Sequence, residues 1–536
     1  MCPQFDSGSC HHKFEGADPA PFFFMKYLLK NLCNPVNSEQ NLSAMICSVL
    51  KISSNQLINW SLLKRALDTR KKNSPLYVYT IEVELDTTPQ SNPNLILLPE
   101  LEQDTNTATK LSNHHPYIIG MGPAGLFCAL AMVEQGLKPY LFDRGDSLET
   151  RTTAVSQFWQ NGTLDPESNV QYGEGGAGAF SDGKLTSRSN NNTIQQVFDL
   201  LIRFGAHDSI RWEALPHLGT DVIRKVVQNI RDYLIEQGCS FFYRSKLENI
   251  ELSNGHVNSI TINGVKHQPE LLVLALGNAA RDTLRVLNKQ NVAMESKPYA
   301  LGFRIAHPQE WIDKSIYGSG YWATKLGAAS YRMTAPKAGK GTYTFCMCPG
   351  GYIIAASSEP CTMVTNGMSY ASRDFAWGNS AIVTSVNPDD YGNSLWGGLE
   401  LQAQIEHKAY FEGYPAPIQS ATDFMSHSLN DEVTIPGLFP GYRNAQVSDF
   451  FSANVVRALK DSLKHFDNIM PGFIRYGTII APETRTSSPI RIVRDSSNLN
   501  CHNISNLYAI GEGAGYSGGI ISSSADGYKT GAKFSG

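Results

Sequence analysis

The stretch LSNHHPYIIGMGPAGLFCALAMVEQGLKPYLFDRGD, from Leu111 to Asp146, restricts what the chain can fold into more than any other. PYIIG is a short apolar strand, Gly120, Gly122 and Gly125 complete G-x-G-x-x-G, and AGLFCALAMVEQG follows as an apolar helix ending at Gly136. KPYLFD is a second strand whose last residue, Asp143, lies eighteen residues beyond Gly125. Each position has a mechanical reason. Gly120 permits a tight turn, Gly122 lets a pyrophosphate approach the backbone beside Pro123 and Ala124, and Gly125 lets helix and strand close on each other. The helix N-terminus offers unpaired N–H groups to phosphate, and a carboxylate at Asp143 accepts hydrogen bonds from an adenosine ribose. Strand, glycines, helix, strand and acid in register predict a βαβ unit that binds a dinucleotide, with Arg144 and Arg151 among its contacts. A surface ion pair is the competing reading for Arg151.

The motif alone leaves FAD and NAD(P) open, and two later segments decide between them. LLVLALGNAARD has the strand-then-glycine form of a second contact loop centred on Gly277, and NLYAIGEGAG presents a strand followed by Gly511, Glu512 and Gly513 near the end of the chain. A late acid of this kind suits a flavin's ribityl chain, and the helix that follows, opening at Gly519 and Ile520, would point its N-terminus at the flavin's pyrimidine end. A nicotinamide-only dehydrogenase has no need of that return, so FAD is expected.

At 536 residues the chain exceeds what one core usually holds, so several packed units are expected. Lys+Arg 45 against Asp+Glu 49 gives a net charge of −4, which offers no clear nucleic-acid signal. The ten cysteines are too sparse for a disulfide scaffold. No signal peptide and no membrane-length apolar run is evident, so a cytoplasmic location is expected. Residues 1–40 read as a poorly ordered leader, in which Cys10, His11 and His12 lack the second ligand pair of a zinc site. Residues 41–86 read as a small α+β unit of ferredoxin-like type: NLSAMICSVLKI and INWSLLKRALDTRKK look helical, and LYVYTIEVEL alternates as a strand with Tyr77, Tyr79, Ile81, Val83 and Leu85 on one face. Residues 87–112 read as a linker. Residues 113–290 alternate strand and helix as the first part of a Rossmann-like FAD-binding domain, 291–470 as an inserted mixed α+β substrate domain, and 471–536 as the second part of the FAD domain.

Taken together, DRGDSLETRTTAVSQFWQNGTLDPESNVQYGEGGAGAFSDGKLTSR, LALGNAARDT, FCMCPGGYIIAASSE, VTNGMSYASRD, ETRTSSPIRIVRD and LYAIGEGAGYSGGIISSSADG resemble the family of FAD-dependent dehydrogenases of uncharacterised substrate. These are relatives of flavoproteins with a glutathione-reductase-like FAD fold, and the resemblance runs from about residue 42 to the C-terminus. It implies an FAD domain interrupted by a substrate domain, with a small α+β domain in front, and says little of the substrate. Two positions depart from the family pattern: Ala306 stands where an acid would precede His307, and Asn278 where a histidine would follow Gly277.

Several residues are candidates for chemistry. In NVQYGEGGAGAFSDGKL, Gly175 and Gly176 allow close approach to a flat ring or phosphate, Ser181 and Asp182 offer hydrogen bonds, and Lys184 would set positive charge beside a flavin that becomes anionic on reduction. A glycine-rich structural loop with Lys184 at the surface is the bland alternative. Arg485 in ETRTSSPIRIVRD has a fork suited to a carboxylate or phosphate. Cys346 and Cys348 in FCMCPGG read as buried structural cysteines, because C-x-C is short for an intramolecular disulfide. The expected activity is FAD-dependent oxidoreduction, in which a small-molecule substrate or a transiently docked reduced nicotinamide, NAD(P)H, delivers a hydride to flavin N5 and a second acceptor reoxidises the flavin. A flavin monooxygenase or oxidase, and an FAD-holding RNA- or partner-binding protein, are the alternatives.

Overall fold

In the computed structural model, which describes residues 24–99, 108–186, 191–336 and 340–536, the chain enters a strand at once: β1 (Met25–Pro35). A leader extending to residue 40 is therefore corrected, while Cys10, His11 and His12 lie outside the described residues. The strand escaped notice because a bulge between Leu29 and Leu32, with Asn31 at φ 59°, breaks the period of two. Tyr27, Leu29 and Leu32 nevertheless reach the same core as Ile81, Val83 and Leu85.

Helix α1 (Leu42–Leu50) starts where expected, its Asn41 side chain accepting from Ser43 N at 2.9 Å. The next segment is a strand, β2 (Leu57–Asp68), and not the helix its apolar spacing suggested. LINWSLLKRALD fits either period, and pairing with β3 (Leu76–Leu85) decides it. On β3 the alternation is as read, with Tyr79, Ile81, Val83 and Leu85 buried. The sheet order is β2-β3-β1-β4, and β4 (Leu95–Leu97) comes from the segment read as linker. Among the described residues no helix joins β3 to β4, so this unit is one helix short of a ferredoxin-like βαββαβ. It forms one compact unit, and residues 68–75 and 104–536 form the other.

The larger unit begins its main sheet with β5 (Tyr117–Ile119), followed by α2 (Pro123–Glu134), β6 (Tyr140–Phe142), α3 (Leu148–Asn161), α4 (Gly219–Glu236) and β7 (Ser240–Phe242). A three-stranded antiparallel meander over residues 247–267 leads to β8 (Leu272–Leu274) and α5 (Arg281–Lys289). The chain then builds an antiparallel layer from β9 (Tyr299–Pro308), β10 (Thr342–Cys348), β11 (Trp377–Val386), α6 (Gly397–Lys408), β12 (Ala416–Ser420), β13 (Tyr442–Asn444) and β14 (Thr478–Glu483). Finally β15 (Leu507–Ala509) and α7 (Ile520–Gly531) return to the first sheet.

That first sheet is parallel, in the order β15-β8-β5-β6-β7. Its strands are short and buried on both faces. Ile118, Leu141, Val273 and Tyr508 point to the helices α2, α4 and α7, whereas Ile119, Phe142, Leu272, Leu274 and Leu507 point to the meander and α5. The result is a layered α/β core whose strand ends all open on one edge, where ligands of such sheets bind. The six-stranded sheet has the order β10-β11-β9-β14-β12-β13, antiparallel except for β12 with β13. Because β14 pairs with β9, this sheet extends to Glu483, beyond the boundary at residue 470 read from the sequence. Among the described residues no helix is long and apolar enough to cross a membrane.

Candidate functional site

The turn from β5 into α2 is built on its glycines. Gly120 has φ +108°, and a Cβ there would lie 2.2 Å from Ala275 O on the neighbouring strand's end. At Gly125 a Cβ would lie 1.9 Å from Gly120 O, so only glycine lets the helix sit this close to the turn. Gly122 differs: its Cβ would meet nothing nearer than Gly176 Cα at 3.6 Å. As N-cap of α2 it carries no side-chain cap, and Pro123 opens the helix, leaving first-turn N–H groups for an outside acceptor. Ala124 is buried against α7, where a Cβ on Gly527 would strike Ala124 O at 2.0 Å.

Asp143 ends β6 buried, its carboxylate accepting from Met121 N at 2.9 Å and Gly145 N at 2.8 Å. It thereby braces the glycine turn, with lone pairs left for a further donor. Arg144 packs over the Tyr172 ring at 4.1 Å and pairs with Glu167 and Asp282.

The loop at residues 173–178 lies across this turn. Gly175 N donates to Met121 O at 2.9 Å, Gly176 has φ +61° against Gly122, and Gly178 faces Ile520 at the start of α7. Arg151 holds the loop in place and reaches no phosphate: it is fully buried, and it donates to Asn169 O, Val170 O, Gly173 O and Glu174 O at 2.6–3.2 Å. Neither the pyrophosphate contact nor the surface ion pair read from the sequence survives. A guanidinium fits here because its rigid fork satisfies several loop carbonyls at once.

Ser181 and Asp182 are likewise turned inward. The Ser181 hydroxyl donates to Gly178 O at 3.0 Å. Asp182 accepts from the Ser369 hydroxyl and from Arg373 Nη2, and Lys184 Nζ lies 3.3 Å from its Oδ2. Burial alone would raise the Asp182 pKa, but Lys184 and Arg373 prevail and hold it at about 2. Lys184 is thus committed to a buried ion pair and is not an isolated charge waiting for a cofactor.

The late strand closes the site. A Cβ on Gly513 would lie 2.4 Å from Gly277 O, so the two glycine loops touch, while nothing comes within 4 Å of a Cβ built on Gly277 or Gly518. Gly511, at φ +75°, donates its N–H to Asp526 at 2.8 Å. Gly519 is the uncapped N-cap of α7 and Ile520 its first residue. Glu512 accepts from Asn278 Nδ2 at 3.3 Å, and the same amide donates to Arg485 O at 3.3 Å. Burial pushes the Glu512 carboxyl up to about 7 against the pull of Lys297 and Asn278.

The Arg485 guanidinium is not free for substrate. It donates to Glu406 at 3.1 and 3.0 Å and to Ser358 Oγ at 2.6 Å, and Arg281 clasps the same Glu406 at 2.9 and 3.0 Å. The fork that suggested anion recognition is spent on a buried carboxylate, so the expected catalytic role is corrected to a positioning one. His307, beside the departing Ala306, is buried and stacked on Trp311, with Nε2 2.8 Å from Phe473 O, and is part of the core.

Residues 298–486, the whole antiparallel layer, match the family described as "FAD-dependent protein, C-terminal domain-like". An uncharacterised protein of Clostridium beijerinckii is 40% identical over 503 residues, covering 91% of this chain and 94% of the relative. The chain belongs to this FAD-dependent protein family. FAD is its cofactor. Among solved structures, L-proline dehydrogenase from P. horikoshii overlaps 79% of this chain and 93% of its own at 8% identity and a TM-score of 0.36. The flavin-dependent brominase Bmp2 overlaps 78% and 77% at 12% identity and a TM-score of 0.35.

Within this FAD-dependent protein the residues present fit the cofactor. Backbone with nothing in front of it at Gly277 and Gly518 is what a flat ring or a phosphate requires, Gly122 meets only the glycine backbone of Gly176, and two uncapped helix N-termini face the same region. Sequence reasoning missed Arg281, Ser358, Gln402 and Glu406. They are scattered over more than a hundred residues, and although Arg281 and Ser358 lie in the stretches LALGNAARDT and FCMCPGGYIIAASSE, nothing in those stretches pairs them with Gln402 and Glu406. Asn278, read only as a missing histidine, is the donor that reaches Glu512.

Proposed function

We propose that this FAD-dependent protein is an oxidoreductase, a dehydrogenase of a small molecule, whose cofactor lies along the edge formed by the turn at residues 120–125, the loop at 173–178 and the segment 511–520. Bound FAD would supply two-electron chemistry between a hydride donor, either the substrate or a transiently docked NAD(P)H, and a second acceptor. The α2 N-terminus with Gly122, Pro123 and Ala124 takes the pyrophosphate, and Asp143 takes the adenosine ribose. Gly277, Glu512, Gly519 and Ile520 take the ribityl and pyrimidine end. The antiparallel layer covers the site and supplies the substrate cleft. The observation that carries this reading is the meeting of glycine-bearing segments distant in sequence, Gly176 on Gly122, Gly178 on Ile520 and Gly513 on Gly277, with open space before Gly277 and Gly518. Anaerobic mixing of the yellow protein with NADH, NADPH and a panel of metabolites tests it. At least one should bleach the flavin, and a quinone or oxygen should restore it. A flavin that dithionite reduces but no biological donor reduces would overturn the reading.

The carboxyl at Glu512 gives a pH signature. Its pKa in the chain stands near 7, above the usual carboxylate value, because burial penalises the charge. Ribityl hydroxyls donating to it favour the ionised form, so binding should release a proton whenever the free carboxyl is protonated. FAD affinity should therefore be flat above pH 7 and fall by up to about tenfold per pH unit below it. Glu512→Gln should bind with a flat profile. A wild-type profile that is flat between pH 5.5 and 8 would remove Glu512 from the cofactor site.

A further inference from the structure

We propose that Cys346 and Cys348 form a thiol–disulfide exchange centre, with Cys346 as the attacking thiolate and Cys348 as the resolving thiol. The backbone makes a short C-x-C pair workable. Cys346 adopts φ +44° in a sheet register that slips between Phe345 and Cys348, a bulge at the end of β10. Arg304 Nη2 fixes the Cys346 carbonyl at 2.7 Å, and the Cys348 thiol donates to that carbonyl at 3.3 Å. A regular strand would instead space the thiols along one face of the sheet.

The surroundings divide the roles. Lys184 and Arg304 are the cations that face Cys346, and Arg304 Nη2 also lies 3.7 Å from Cys348 Sγ. The Lys184 Nζ is buried and makes an ion pair with Asp182 but no hydrogen bond. Facing them are the carboxyls of Asp182 and Glu483, the first paired with Lys184 and Arg373, the second with Arg304. His217, nearest Asp182, is pushed to about 4 by burial and stays neutral. The adjoining Cys348 side chain lowers the Cys346 thiol to about 6 against the penalty of burial, with Lys184 and Arg304 assisting. Cys348 is buried and its thiol is raised, whereas Cys346 is only half-buried. A half-buried thiolate beside a buried protonated thiol is the arrangement of an attacking and a resolving cysteine.

The chemistry balances on a disulfide RS–SR. Cys346 thiolate attacks one sulfur, the S–S bond breaks, a Cys346–SR bond forms and RS⁻ leaves. Cys348 passes its proton to the first RS⁻ and attacks the Cys346 sulfur, breaking the Cys346–SR bond, forming the Cys346–Cys348 bond and releasing the second RS⁻, so that RSH and RS⁻ are the products. Two electrons have passed from the dithiol to the external disulfide. No step involves the flavin, so the proposal stands apart from the hydride reading.

Dithiodipyridine added to the FAD-loaded protein, with each cysteine followed by peptide mass spectrometry, tests it. The peptide carrying both cysteines should end as an internal disulfide, and Cys348→Ser should stop at a mixed disulfide on Cys346. The Cys346 rate should rise only about twofold between pH 6 and 8, where an ordinary thiol gains roughly eightyfold. Glutathione, a free thiol assayed alongside, serves as the standard for that steep slope. Lys184→Gln should shift the Cys346 profile to higher pH, which a purely structural lysine would not do. Failure of Cys346 to react, or a pH slope equal to that of glutathione, would overturn the proposal even if no variant folds.

Discussion

Gly122→Val should yield folded, colourless protein. A Cβ at this position makes ordinary van der Waals contact, 3.6 Å from Gly176 Cα, and φ is −77°, so the backbone of the cofactor-free fold accepts a side chain here. The same atoms occupy the approach of the pyrophosphate to the first turn of α2. Losing two charge-assisted hydrogen bonds at about 1.5–3 kcal/mol each weakens FAD binding at least about a hundredfold. Gly125→Ala should behave in the opposite way. Its Cβ would sit 1.9 Å from Gly120 O, a backbone atom that cannot yield, so the cost falls on folding, about 3 kcal/mol or more. Thermal unfolding and flavin absorbance of the two variants separate the effects. A Gly122→Val protein that keeps its yellow colour would remove the β5–α2 turn from the cofactor site.

That contrast shows what the sequence could convey. Glycines at Gly120 and Gly125 record close approaches of the backbone to itself, and Gly122 records an approach to something else; all three leave the same letter at a fixed spacing. The parallel sheet was legible for a similar reason, since strand and helix periods alternate without interruption from residue 113. The first strand was not, because the bulge at Leu29–Leu32 erases the period of two. β2 was read as a helix because its apolar spacing suits both periods, and only its partner β3 chooses. Arg151 and Arg485 show a different limit. An arginine near a cofactor motif looks the same in sequence whether it binds the ligand or the protein's own carbonyls and carboxylates. Burial and partner identity, which arise from residues far along the chain, make the distinction.

The Arg281–Glu406–Arg485 cluster is where such distant partners should matter most. Glu406 sits fully buried on α6 between a guanidinium from α5 and another from the segment after β14, with Gln402 and Thr484 completing its shell. Burial would raise its pKa, but Arg485 and Arg281 hold it at about 2. A carboxyl depressed in the folded chain contributes stability that is complete above the unfolded value near 4.5 and is lost as pH falls towards 2. Glu406→Gln leaves the buried Arg485 without an ion-pair partner and Arg281 with Glu359 alone, and should cost about 3–5 kcal/mol, read by denaturant unfolding at pH 7. Replacing the whole cluster with Arg281→Met, Glu406→Leu and Arg485→Met should recover most of that loss, since the penalty lies in the orphaned charges. The triple variant also bears on the cofactor. Asn278 bridges Arg485 O to Glu512, so loosening the Arg485 backbone should alter the pH at which FAD affinity begins to fall. Glu406→Gln as stable as the wild type would mean that water reaches the arginines and that the cluster does not fasten α6 to the cofactor edge.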